Sequence, residues 1–153
     1  MNGAFSDQER IESLKAATLT GLAAGSTAML ILLAHRSHEL GWARALASVV
    51  TPGLSGWGFW VGSAIALFSG SLFGITYRYA VRQDENPQLK SGVVLAFGLV
   101  RGLAQVDVGS ALAQNGSPFL TAVAESLLLF GTAGLFLDLA LRNAWIKPFK
   151  SSL

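Results

Sequence analysis

The chain is 153 residues long, 52% hydrophobic and only 13% charged, where soluble domains carry about 25% charged residues. Its formal net charge of +2 is dispersed, with no run of five basic residues and no basic–aromatic interleaving, which argues against nucleic acid as a partner. Cysteine is absent, so disulfides, iron–sulfur clusters, cysteine–zinc sites and thiol catalysis are excluded.

The N-terminal stretch is not a secretory leader in pattern. Asp7, Glu9 and Glu12 outweigh Arg10 and Lys15, and the apolar run that follows is longer than a signal h-region. Ser6 and Glu9 have capping-box spacing, which predicts a helix that starts there and runs straight into a retained membrane anchor. The first predicted span is Ala16 to His35. His35 and His38 beyond it have the i,i+3 spacing of a helical metal pair, but no third histidine or carboxylate is anchored nearby in sequence. Interfacial polar residues are the simpler reading, and no metal site is expected.

From His38 to Val50 the chain is amphipathic, with Trp42, Leu46, Val49 and Val50 on one face and Gly41, Arg44 and Ser48 on the other. This pattern predicts a short helix lying in the interface, stopped by Thr51-Pro52-Gly53. An irregular loop is the alternative.

The second predicted span, Trp57 to Ala80, holds small residues at every fourth position: Gly58, Gly62, Ala66, Gly70 and Gly74. In a helix these stack into a bare ridge that another backbone can approach closely. Further small pairs recur at Gly21/Gly25 and Gly98/Gly102. They could seat another subunit or pack the bundle itself. Trp57 and Trp60 at one end of the span, with Tyr77 and Tyr79 at the other, are spaced like the two interfacial belts.

The third and fourth predicted spans are Gly92 to Leu112 and Pro118 to Leu141, each roughly 30 Å or longer at helical rise. Arg101, Gln105 and Asp107 lie inside the third, and Glu125 inside the fourth. Arginine near the bilayer midplane costs a few kcal/mol, so a partner is expected. Glu125 is the first candidate, with Gln105 one turn from Arg101 and Asp107 nearer the far interface. These side chains could line an anion or proton route, form a buried ion pair that sets register, or meet a charge on another subunit. Arg78 and Asp138 reach similar depth at the opposite rim and form a second candidate pair.

Counting Lys and Arg places eight on one side (Arg10, Lys15, Arg78, Arg82, Lys90, Arg142, Lys147 and Lys150) against Arg36 and Arg44 on the other. Both termini are therefore expected on the cytosolic side. Gly74, Ala80 and Arg82 recur as Gly134, Ala140 and Arg142, and Leu14-Lys15 as Leu89-Lys90. Two helical hairpins repeated in parallel would give this pattern, as would chance in Gly- and Ala-rich helices. No nucleophile elbow, phosphate loop or HExxH motif is present, and no enzyme activity is expected.

The segment Tyr77-Arg78-Tyr79-Ala80-Val81-Arg82-Gln83-Asp84-Glu85-Asn86-Pro87-Gln88-Leu89-Lys90, with Gly92 to Gly102 after it, resembles small multi-pass membrane proteins of cyanobacteria and plastids. That resemblance implies a thylakoid or related photosynthetic membrane with stromal or cytosolic termini, and it carries no activity with it.

The sequence thus predicts an all-α, four-span bundle with an interfacial helix after the first span. The expected role is an accessory or assembly subunit that packs against other membrane proteins or itself, with the Gly58–Gly74 ridge as its docking face. A small oligomeric transporter using Arg101, Gln105, Asp107 and Glu125 is the alternative. No cofactor is called for, beyond lipid or pigment that could fill the glycine grooves.

Overall fold

In a computed structural model of the protein, the structure describes residues 6–50, 54–84, 86–105 and 117–149. Among these residues it is all-helical: α1 covers Asp7–Leu40, α2 Trp42–Val50, α3 Leu54–Val81, α4 Pro87–Ala104 and α5 Ser117–Arg142. The predicted cap is in place, since the Glu9 backbone N–H donates to Ser6 Oγ at 3.3 Å. From there α1 runs without a break through the apolar stretch to Gly41, where a φ of +79° ends it. The short helix α2 follows at once. It buries Ala45 and leaves Trp42, Leu46 and Val50 exposed, as an interfacial helix requires.

Three helices, α1, α3 from Gly56 and α5, are long and apolar enough to cross a membrane. The sequence predicts four such spans, and α4 is the exception. It starts earlier than predicted because Asn86 caps it, its Oδ1 accepting from the Gln88 N–H at 2.9 Å, with Pro87 in the first turn. It ends at Ala104, so Lys90 and Arg101 weigh against a short apolar stretch. The remainder of the predicted third span, Asp107 included, lies outside the described residues.

The helices associate as two antiparallel pairs, α1 with α3 and α4 with α5, joined mainly where α5 crosses α1. Ala16, Ala24, Ala66, Phe73, Tyr77, Phe130 and Leu137 form the core between them. Outward faces carry exposed Leu22, Leu30, Phe68, Leu128 and Leu135, the apolar exterior that a bilayer solvates. Hydroxyls inside the apolar helices donate to carbonyls one turn back, Thr20 to Ala16 at 2.7 Å and Ser63 to Phe59 at 2.8 Å. Among the described residues no buried side-chain nitrogen or oxygen lacks a partner.

Candidate functional site

The glycine ridge of α3 lies mostly inside the molecule. A Cβ on Gly70 would stand 2.6 Å from the Thr20 carbonyl oxygen, and one on Gly74 2.7 Å from that of Ala16. Gly21 faces Ser71 from the other side of the seam, Gly25 faces Leu67, and Ala66 is fully buried. The expected docking face is therefore the α1–α3 interface. Close van der Waals contact has to hold these helices where no hydrophobic force acts between them, and glycine allows it. Among the described residues only the far end of the ridge is open: Gly62 meets Leu32 alone and Gly58 nothing. Gly98 and Gly102 serve the second pair, set against Leu127 and Val123 of α5.

At the Arg78 end of α3, the expected pair with Asp138 is not formed. The Arg78 guanidinium is buried and turns to α1 and the C-terminal tail instead. Nε donates to the Lys147 carbonyl at 2.9 Å, Nη1 to Ser13 Oγ at 2.8 Å, and Nη2 to the Glu9 carboxylate. The Lys147 N–H in turn donates to Glu12 Oε2 at 2.9 Å, and the Phe149 ring packs edge-on against Tyr79. One arginine thus ties the start of α1, the end of α3 and the tail together. Asp138 is held by Lys90 of α4 and by Arg142 one turn along α5, at 2.8 Å. Lys90 lies across from Asp138 on the neighbouring helix, whereas α3 makes few contacts with α5.

Deeper in the bundle, Arg101, Gln105, Glu125 and Ser126 line one cavity of about 80 Å³ between the two helix pairs. About 10–15 Å³ of such space is enough for one water, so the cavity has room for several. The expected direct Arg101–Glu125 ion pair is absent among the described residues. Glu125 Oε1 lies 3.2 Å from His35 Nε2 of α1, and Gln105 Oε1 accepts from Ser126 Oγ at 3.1 Å. Among the described residues Arg101 Nη1 reaches only Ser69 Oγ, at 3.4 Å. Sequence spacing places Arg101 and Gln105 on one face correctly, but it does not show that α1 brings His35 to Glu125. That contact also supplies the carboxylate that the histidine pair lacks in sequence. Among the described residues no three metal-ligating side chains cluster, and His38 stands exposed near the end of α1.

One helical turn from this cavity stand three phenylalanines. Phe73 follows Ser69 by one turn, Phe97 precedes Arg101, and Phe130 follows Ser126, all displaced toward the Arg78–Asp138 end. Their ring centroids lie 5.2–5.5 Å apart, and Phe73 and Phe130 are buried. The polar cluster therefore stops at an aromatic block. Three phenylalanines on three helices share no local motif, so only their coincidence in depth could have signalled it.

Beside the block, on the outer side of α3 and α4, runs a groove of about 430 Å³ walled by Ser69, Leu72, Ala96, Val100, Arg101 and Ala104. Among the described residues the lining is apolar except for the Ser69 hydroxyl and the Arg101 guanidinium. Contacts between α3 and α4 are sparse, so this seam is open where the α1–α3 seam is closed. No protein-family model, curated protein or solved structure matches the chain.

Proposed function

We propose that the protein is a non-catalytic subunit of a membrane assembly, an accessory or assembly factor that packs against other membrane helices. In this reading α4 is a fourth crossing. It lies along α5 from the Lys90–Asp138 contact to Gly102 beside Val123, and so shares the depth of a helix long enough to span. An even number of crossings puts both termini on one side, and the Lys and Arg bias makes that side cytosolic or stromal. The resemblance of residues 77–102 favours a thylakoid or bacterial inner membrane.

The observation that carries the reading is the open α3–α4 seam. The α1–α3 and α4–α5 seams are closed at their glycines, whereas this one exposes an apolar trough with a cation in it. A transporter or channel is the second reading, favoured by the cavity shared by Arg101, Gln105, Glu125 and Ser126. The phenylalanine block beneath that cavity weighs against a continuous polar route. Gentle extraction of a tagged copy from its native membrane, followed by native mass measurement, separates the two. A stoichiometric partner chain supports the subunit. A partner-free particle whose reconstituted ion or solute flux is lost in Arg101→Gln/Glu125→Gln supports the transporter instead.

A further inference from the structure

We propose that the α3–α4 groove receives a transmembrane helix of a different protein, and that this helix presents a carboxylate side chain to Arg101. The inference rests on the subunit reading and names the chemistry of the partner.

Three features of the groove point the same way. Its shape suits a helix, because Gly92, Ala96, Val100 and Ala104 form an i,i+4 row along α4, all exposed, and a Cβ on Gly92 would meet nothing among the described residues. Gly92, Ala96 and Ala104, the small residues on this row, let a second backbone come close on either side of Val100, the same device that closes the α1–α3 seam. On the facing wall Ser69 is small and Leu72 is exposed, leaving an apolar surface with a ledge for packing.

Its charge selects an acid. Arg101 sits about 21 Å along α4 from Pro87, level with Ser69 in the middle of α3, and is half-buried. Among the described residues no carboxylate pairs with it: Glu125 is turned to His35, and Ser69 offers a neutral hydroxyl at 3.4 Å. A guanidinium at that depth is costly unless an opposite charge offsets it. A lipid tail would fill the trough but leave the charge unmatched, and a phospholipid headgroup lies at the bilayer surface rather than at this depth. A carboxylate on a helix meets both demands, since in the hydrocarbon region only a helix or a closed barrel satisfies its own backbone.

The geometry also disfavours a second copy of this chain as the occupant. A two-fold interface through the groove is self-complementary, and would bring Arg101 of one copy toward Arg101 of the other. Among the described residues the groove wall carries no acidic residue to separate them.

The test uses the full-length protein in its native membrane, with a photo-crosslinking amino acid at Leu72 or at Val100. The expected result is a crosslink to one transmembrane segment of another protein with an Asp or Glu in its middle third. Arg101→Gln should lower the crosslink at least tenfold and Arg101→Lys should retain most of it. Arg101→Glu should abolish it until the partner's acid is changed to Arg. Equal thermal stability of the purified variants shows that the fold is intact, and crosslinks between α1 and α3 serve the same purpose for any variant that purifies poorly. Crosslinks to lipid only, to another copy of this chain, or to a segment with no acid overturn the proposal, as does an undiminished yield in Arg101→Gln. A partner that still co-purifies in any of those cases leaves the subunit reading standing. A protein that extracts alone removes both.

Discussion

The two sides of α3 make opposite use of the same kind of residue. Toward α1, Gly70 and Gly74 lie so close to the Thr20 and Ala16 carbonyls that no side chain fits, and the seam is closed along much of its length. Toward α4, Ser69 and Leu72 face a trough that the molecule leaves unfilled. A row of small residues is therefore not by itself a docking face. It marks where a helix can come close, and here α1 takes it. What distinguishes the open side is a charge with no opposite charge facing it among the described residues.

The strongest way to break the closed side is at its end rather than along it. Arg78→Leu leaves Glu9, Ser13 and the Lys147 carbonyl without their common donor. It should destabilise the protein by about 3 kcal/mol, the scale for breaking a buried ion pair, as read from denaturant titration in mixed micelles. Arg78→Leu combined with Glu9→Leu should cost less than Arg78→Leu alone, because the orphaned carboxylate is gone. A double mutant that is worse than the single would show that packing, not charge, holds the tail.

Along the seam, Gly74→Leu forces the helices apart against backbone that has little room to yield. A loss of about 3 kcal/mol is expected, at the upper end of overpacking costs, and the same titration checks it. Gly58→Leu, at the open end of the same ridge, is expected to stay within about 0.5 kcal/mol of the parent. Equal effects at Gly74 and Gly58 would mean that α1 does not close on α3 as described.

A finer comparison lies in the second pair. A Cβ on Gly102 would meet the Val123 backbone at 2.7 Å, whereas one on Gly98 would meet the movable end of Leu127 at 2.5 Å. Gly102→Ala should therefore lower the thermal midpoint more than Gly98→Ala, by roughly 1 kcal/mol of stability. The smallest effect belongs to the open trough. Val100→Ala removes side chain from an exposed site and should leave the stability of the isolated protein within about 0.5 kcal/mol, while changing the groove crosslink.

Much of the architecture was legible in the residues. The start of α1 at Ser6, the α2 segment from Trp42 and the α3 span come from capping chemistry, amphipathic spacing and apolar length, which are local properties. The site was legible only in its membership: Arg101, Gln105 and Glu125 do gather at one cavity. Their partners were not, because His35, Ser69 and Ser126 come from three different helices, and depth along a helix says nothing about rotation around it. The same blindness explains Arg78, whose depth matches Asp138 while its side chain turns to α1.

By itself the sequence determined that the chain is helical, that its apolar stretches are long enough for a bilayer, and where close helix contact is permitted. Those follow from hydrophobic length and from the absence of a side chain at glycine. Only the tertiary structure decided which neighbour each permitted contact receives. Helix pairing depends on rotation and crossing summed over whole helices, so the ridge closed on α1, Arg78 turned to Glu9, and the α3–α4 seam was left open.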